Sequence, residues 1–324
     1  MKTKVNDEID KAKSVAITTD GWTSRATESY ITITVHFITE DWNIANYVLQ
    51  ARPLPESHTG VNVAAVLTEA IKDWKLAKPE SLSSIACVSD NASNMVVAVR
   101  EENLIPHIGC FAHTVNLGSQ KALQVVSLAR VLGRVRKVVS FFHQSCIAAS
   151  LFKEKQTMLQ LPSHKLLQDV STRWNSAYDM LSCYLEQQPA IMAVLMSREI
   201  RQNGKNIDTL SDSDVSKAEE AVEVLKPMKT ITTVLCTEKH PTVSMIMPVK
   251  SVIMTSMSVK DSDSQLVKQM KEAIVQDIRK RYTESDVVEF LLGRSALDPR
   301  FRSLPQEEET TRTQNILFTG FKMC

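Results

Sequence analysis

The sequence has few of the residues that are abundant in small secreted or fibrous proteins, with six cysteines, eight glycines and eleven prolines among 324 residues. No two cysteines form a CxxC pair, so neither a disulfide framework nor a zinc finger is indicated, and we expect reduced thiols. No apolar run approaches the roughly 18 residues of a membrane span, and residues 1–13 lack the apolar core of a secretory signal. These absences exclude membrane and secretory classes and predict a soluble intracellular protein.

Charge is balanced over the whole chain but unevenly distributed along it. The net charge is +1, from 38 basic and 37 acidic side chains, and 43% of the residues are hydrophobic. Residues 121–180 hold nine basic and three acidic side chains, whereas residues 1–120 hold ten and fourteen. The composition is typical of globular proteins and the length of about two domains. Only residues 121–180 have a charge that favours an anionic partner.

The first 120 residues alternate between strand-like and helix-like patterns. Three segments rich in β-branched and aromatic residues, joined by short turn-prone connections, predict an antiparallel meander. A helix between the third and fourth strands then implies a parallel pairing. The order is βββαβαβ, an α/β fold. The predicted strands are 14–20, 30–38, 44–54, 84–89 and 105–111, and the helices between them are 60–76 and 91–102.

Residues beyond 120 have helical periodicity almost throughout, so we place a domain boundary there, with 1–120 as the α/β domain and 121–324 as an all-helical one. In segment 128–142, one face is apolar while Arg130, Arg134 and Lys137 share another. Pro227 predicts a kink or a break in a later helix. The predicted helices are 128–142, 145–160, 173–187, 189–200, 214–239, 242–258 and 264–282.

Two aspartates, Asp20 and Asp90, each close a predicted strand. If the first and fourth strands are neighbours, both carboxylates lie at one edge of the sheet, where such a pair can hold Mg²⁺ for phosphoryl transfer. The alternative is structural. Aspartate before Gly or before Asn-Ala-Ser is common in Asx turns and helix caps, and Asp90 could cap the helix that follows it.

Cys110 and His113 form a CxxH pair between the end of a predicted strand and the start of a helix. A tetrahedral zinc site needs two further ligands, and none has the spacing of a zinc-finger partner. A buried thiol and a hydrogen-bonded core histidine are the alternative that the missing ligands favour.

Two basic features could contact a nucleic acid. Arg173 and Trp174 open a predicted helix, where they could stack on a base and touch a phosphate, although such a Trp is more often a core anchor. Arg130, Arg134 and Lys137, with Arg136 beside them, could meet a phosphate backbone, although a solvated helix face is the usual explanation of such a run.

Seven segments, in order from about residue 8 to residue 305, resemble the hAT-superfamily transposases. The resemblance is strongest to their host-domesticated relatives, the BED-type zinc-finger proteins, which include the E3 SUMO-protein ligase of that group. It implies a ribonuclease H-like mixed sheet interrupted by a large all-helical insertion. The segments are TTDGWTSRATESYITITVHFI, VSDNASNM, GCFAHTVNL, LLQDVSTRWNSAYDML, EQQPAI, AEEAVEVLKPMKTITTV and SALDPRFRSLP.

The resemblance also implies roles for individual residues. Asp20 and Asp90 match the first two acids of the DDE site, whose ion is Mg²⁺. Cys110 and His113 match the CxxH element beside that site. Arg173 and Trp174 match the RW element, whose Trp stacks on a flipped base in active enzymes.

Three expected family parts do not occur in the sequence: the third acid, a Glu after the insertion; the N-terminal BED finger, which would hold zinc; and the C-terminal dimerisation segment. We therefore expect a fragment or truncated form of a protein that is a homodimer at full length. The first hypothesis is a non-catalytic nuclear protein that binds DNA and regulates transcription. The second is part of an active Mg²⁺-dependent transposase, and the third is a scaffold or ligase that acts with the SUMO machinery.

Overall fold

The computed structural model describes residues 2–24, 26–55, 57–77, 85–102, 104, 106–201, 207–236 and 242–301. The chain divides into two compact units, and the backbone passes from one to the other more than once. The first contains residues 1–114, 237–248 and 282–324, and the second contains residues 115–236 and 249–281. This division differs from the expected single boundary at residue 120, because segments far along the chain return to the first unit.

The first unit is built around a five-stranded mixed sheet, which confirms the predicted fold class. The order of elements up to residue 109 is βββαβαβ, preceded by one short helix. The elements are α1 (Lys2–Lys11), β1 (Val15–Thr23), β2 (Ser29–Ile38), β3 (Ile44–Pro53), α2 (Gly60–Asp73), β4 (Ala86–Ser89), α3 (Ser93–Glu101) and β5 (His107–Gly109).

Strand order within the sheet is β3-β2-β1-β4-β5. The meander β1-β2-β3 is antiparallel, while β4 pairs in parallel with both β1 and β5. This is the arrangement that a short-turn meander followed by helical crossovers requires, since a parallel neighbour cannot be reached by a tight turn.

One face of the sheet carries the core of this unit. Ile17, Ile33 and Val35 are at most 1% exposed and belong to the same buried cluster as Ile9 of α1 and Leu67 of α2. Alternate residues of β2 and β3 on the opposite face are half-buried or exposed. The strand alternation therefore specifies which face is covered, as the period of two demands.

The described residues of the second unit form helices joined by loops, without a strand. Trp174, Met180 and Leu181 are among its largest buried side chains. Pro189 and Pro227 lie inside helices. The two helices predicted at 173–187 and 189–200 are therefore one helix as far as Leu195, and Pro227 does not break the helix that contains it. The helices are α4 (Phe111–Leu123, which starts in the first unit), α5 (Val126–Gln144), α6 (Cys146–Met158), α7 (Trp174–Leu195), α8 (Arg198–Arg201), α9 (Asp212–Leu235), α10 (Ile246–Ser256, which straddles the boundary) and α11 (Gln265–Arg279).

The chain returns to the first unit through a short 3₁₀ turn, Val243–Met245, and through α12 (Ser285–Leu297), a helix that the periodicity did not predict. Ser295 Oγ donates to the Ser244 carbonyl at 2.7 Å, and Ser244 Oγ donates to Asp298 at 2.6 Å. These bonds hold the two returning segments together. No helix in the described ranges is both long enough and apolar enough to cross a bilayer.

Candidate functional site

Three chemistry-bearing residues lie on, or directly after, three neighbouring strands of the sheet. Thr18 of β1 pairs with Val88 of β4, which in turn pairs with Ile108 of β5. Asp20, Asp90 and Cys110 each follow one of these three paired residues by two positions, just beyond the stretch in which the three strands pair. Neighbouring strands lie about 4.8 Å apart, which sets the scale of the site.

Asp20 does not close its strand, contrary to the sequence prediction. β1 continues to Thr23 because β2 pairs with it all the way to the Thr23–Ser29 pair. Its parallel partner β4 ends earlier, at Ser89, so Asp20 lies where β1 passes beyond β4. The Asp20 side chain is exposed, and its Oδ1 accepts the Gly21 backbone N–H at 2.9 Å.

Asp90 follows β4 directly, as predicted, in the turn that leads to α3. Its Oδ1 accepts the backbone N–H of Ala92 at 3.1 Å. Ala92 is the N-cap residue of α3 and makes no side-chain capping bond of its own, so Asp90 satisfies a backbone donor beside the helix start. The structural role considered for Asp90 is thus present.

The strand that precedes Asp90 is joined to β5 by a partly buried polar pair. Ser89 is 1% exposed, and its Oγ lies 2.9 Å from Nε2 of His107 on β5. Burial lowers the pKa of His107 below its ordinary value of 6.5, while the nearby Glu284 opposes that shift. The neutral imidazole is therefore favoured, and the β4–β5 edge next to Asp90 carries no added positive charge.

A second polar chain fixes the residue after Asp90. Asn91 Nδ2 donates to Thr114 Oγ1 at 3.1 Å, which lies 3.2 Å from the Tyr282 hydroxyl. The same hydroxyl donates to the Gly109 carbonyl at 2.6 Å. A Cβ on Gly109 would lie 2.1 Å from Asn91 Oδ1, so only glycine leaves room for this arrangement. Tyr282, far along the chain, thus helps to position the turn beside Asp90.

A pocket of about 140 Å³ opens beside Asp90, and sequence reasoning missed its aromatic wall. Trp22 and Tyr30 line it and stack on each other, with ring centroids 5.5 Å apart and planes at 14°. His58 and Asn94 line it as well. The Trp22 side chain is 44% exposed. The sequence signal that could have revealed this wall is Trp22, an aromatic residue two positions after Asp20. An aromatic surface beside a carboxylate is suited to stacking on the end of a nucleic acid.

The carboxylates of Asp20 and Asp90 are ligands of the type that magnesium prefers, since this ion often binds through one or two carboxylates, with water and substrate phosphates supplying the other ligands. Backbone amides bind only Oδ1 of each carboxylate. Cys110 is half-buried just before α4, with its backbone N–H bonded to the Ser89 carbonyl, and His113 is half-buried one turn later. Within the described ranges, no group of three or more His, Cys, Asp or Glu side chains could hold a metal.

Trp174 lies at the start of α7 in the second unit and is only 2% exposed. Its ring packs edge-on against Tyr178, with centroids 6.3 Å apart. Arg173, the N-cap residue of α7, is exposed. In this conformation the indole is a core side chain, so stacking on a base would require it to be uncovered.

The predicted basic face is present on α5, but its charges are not equivalent. Arg130, Arg134 and Lys137 are all exposed, and the stripe opposite them is buried. Arg134 forms an ion pair with Asp214 at the start of α9. Arg136 binds Asp169 with two nitrogens, at 2.6 to 3.0 Å. Arg130 and Lys137 make no ion pair with any described residue.

Comparison with known families agrees with this architecture. Residues 18–108 match the model described as the ZBED1 RNase-like domain, and residues 108–224 match the ZBED1 RNase-like helical domain. The two matches adjoin and cover the sheet and much of the helical unit. The chain belongs to the hAT transposase-derived proteins of the BED type. Within this family, the mixed sheet is the ribonuclease H-like part.

Relatives of the chain include regulators and transposases of the hAT group. "Zinc finger BED domain-containing protein 4" of Homo sapiens is 24% identical, with 100% of this chain and 28% of that protein covered. "Putative AC transposase" of Zea mays is 28% identical over 58% of this chain and 24% of its own length. "Putative transcriptional regulator tpeD" of Talaromyces stipitatus is 22% identical, covering 76% and 32%. The chain therefore spans about a quarter to a third of these relatives.

Proposed function

We propose that this hAT-derived chain is part of a nuclear protein that binds DNA and regulates transcription without catalysing strand transfer. The observation that carries the proposal is the use of the two acids. Asp20 and Asp90 each accept a backbone N–H at 2.9 and 3.1 Å, which is a structural role that needs no metal. The BED-type and regulator names of the relatives support a regulatory protein.

The DNA-binding surface that we propose is the exposed face of α5. Arg130, Gly133 and Lys137 lie at positions i, i+3 and i+7, so they share that face. An added Cβ at Gly133 would have no heavy atom within 4 Å. The glycine therefore leaves a notch between two basic side chains, where a phosphate backbone could approach closely. Arg134 contributes less, because Asp214 already neutralises it.

Fluorescence anisotropy with a labelled DNA duplex tests this surface. The double variant R130A/K137A should bind more weakly to every sequence and should lower the slope of log K against log salt by about 1.8, for two lost phosphate contacts. The matched control is R279A/K280A, which removes two exposed positive charges at the end of α11. Equal weakening by both doubles would attribute binding to net charge and reject the α5 surface.

An active transposase is the alternative, and the position of Asp20 and Asp90, each two residues beyond the Thr18–Val88 pair, favours it. In that case these two carboxylates would hold Mg²⁺, which stabilises charge on the attacking and leaving oxygens of phosphoryl transfer. The full-length gene product should be assayed for hairpin and joined DNA products with Mg²⁺. Products that vanish in D20N and in D90N, while duplex binding is unchanged, would reject the non-catalytic proposal.

A further inference from the structure

The tip of the β2–β3 hairpin exposes a tryptophan that contributes nothing to the core. Trp42 is 86% exposed, more than any other large hydrophobic residue in the described part of the chain. The turn is well formed, since the Trp42 N–H donates to the Thr39 carbonyl at 3.0 Å and the Thr39 N–H donates to the Asn43 carbonyl at 2.9 Å. The side chain is therefore held out on an ordered tip.

The backbone at Trp42 makes this choice of residue costly. Its φ is 61°, in the left-handed region where glycine and asparagine are favoured and bulky residues are uncommon. A residue at this position of a three-residue hairpin loop is usually glycine. Burial of the Trp42 ring does not offset this conformational cost, because the ring is exposed. A bulky aromatic at a strained and exposed position is better explained by a binding role than by folding.

Apolar side chains continue from the tip along the uncovered face of the hairpin. Ile38 and Ile44 form a cross-strand pair and are 55% and 41% exposed. Val48, on the same face, is 64% exposed. It lies four residues from Ile44, about 13 Å along the strand. The hydrogen-bonded polar pair His36 and Asn46 lies between Ile44 and Val48 on this face, so Val48 stands apart. We call the exposed apolar residues next to the turn, Ile38, Trp42 and Ile44, the tip strip.

The charge around the tip strip is of one sign. Glu40 and Asp41 precede Trp42 in the turn, and both are exposed. Residues 38–48 contain no lysine or arginine. Two copies meeting tip to tip would bring four carboxylates together, and a phosphate backbone would be repelled as well. The complementary partner is therefore cationic and partly apolar.

We propose that the tip strip docks a protein segment that presents a lysine or arginine beside an aliphatic side chain. The cation would lie between the carboxylates of Glu40 and Asp41 and the face of the Trp42 ring, which attracts cations through its quadrupole. The aliphatic side chain would pack on Ile38 and Ile44. An exposed Trp at the centre of such a surface has the character of a binding hot spot.

Selection of random twelve-residue peptides displayed on phage tests this proposal. The chain is the bait and W42A removes binders that do not need the tip. Clones that depend on Trp42 should carry a net positive charge and an aliphatic residue. As synthetic peptides they should bind W42A at least about tenfold more weakly, and E40Q/D41N about threefold more weakly with a smaller salt dependence.

Two further variants separate binding from folding. W42G should lose binding while its unfolding midpoint rises, because glycine adopts the left-handed backbone without strain. W22A, which removes an exposed Trp elsewhere in the same unit, should bind the peptides as the parent chain does. The proposal is overturned if no clone depends on Trp42, if dependent clones are acidic, or if the tip instead mediates self-association or DNA binding that W42A abolishes.

Discussion

Two glycine-to-alanine substitutions should change stability in opposite directions, for reasons visible in the packing. Gly60 begins α2 where that helix passes α3. A Cβ there would lie 2.4 Å from Cγ1 and 2.7 Å from Cβ of Val97, and 3.2 Å from the Asn94 carbonyl. Rotating the valine side chain moves Cγ1 but not Cβ, and the carbonyl belongs to the backbone. Alanine at residue 60 therefore forces α3 away from α2.

The magnitude follows from overpacking, which costs about 1–3 kcal/mol in a well-packed core, and the lower end of that range applies here because Val97 is 41% exposed. The gain in helix propensity is small at Gly60, because it is the first residue of its helix. At Gly133, in the middle of α5, a Cβ meets no heavy atom within 4 Å. Alanine there should therefore stabilise the protein by about 1 kcal/mol, the difference in propensity between the two residues.

Urea unfolding followed by circular dichroism measures both effects, with each variant compared to the parent chain. Because α3 carries Asn94 and Met95 of the pocket beside Asp90, G60A should also change the acrylamide quenching of Trp22. The Trp22 signal is the difference between each chain and its W22F counterpart, since Trp42 is exposed as well. G133A should leave that quenching unchanged. If G60A proves as stable as the parent chain, α2 and α3 do not approach each other this closely. The pocket would then not be lined by Asn94 and Met95 in the way described.

Three further results are expected. Burial raises the pKa of Cys87 to about 12, so iodoacetamide at pH 8 should leave it unmodified in the folded chain while the exposed Cys146 reacts; equal alkylation would contradict its burial. Burial lowers the pKa of His107, so the unfolded chain takes up a proton first as pH falls below 6.5, and stability should decrease there in the parent but less in H107Q. Arg300 lowers the pKa of Asp298, so this carboxylate stabilises the fold at pH values above 3.8, its ordinary pKa. Its contribution to the free energy of unfolding should fade as the pH falls below that value. D298N should unfold more easily at pH 6 than the parent and lose less stability on acidification to pH 3; parallel stability curves would refute the ion pair.

Local patterns were sufficient to predict the sheet but not its exact ends. β-branched segments joined by short turns specify a meander, and helices between later strands specify parallel pairing. The end of β1 could not be predicted from β1 itself, because its last residues are held by β2. The end of β4 could be predicted, since the polar run after Ser89 begins a helix.

Long-range contacts account for what the sequence did not reveal. Arg134 looks like a free cation in the periodicity of α5, but its partner Asp214 is 80 residues away. Trp174 could serve as a base-stacking residue or as a core anchor by its sequence, and the packing of α7 shows that it is a core residue. Tyr282 carries no motif at all, although its hydroxyl joins two elements beside Asp90.

The bond between the Tyr282 hydroxyl and the Gly109 carbonyl spans 173 residues. On a ribosome that adds about 5–20 residues per second, the carbonyl would wait about 9 to 35 s for its donor. Until then the nascent sheet lacks one of its closing contacts. Once formed, however, the closure is tolerant of length, because doubling the intervening loop adds only about 0.6 kcal/mol of entropic cost. The helices between Gly109 and Tyr282 could thus grow or shrink over evolutionary time with little penalty to the first unit, whose segments precede and follow them in sequence.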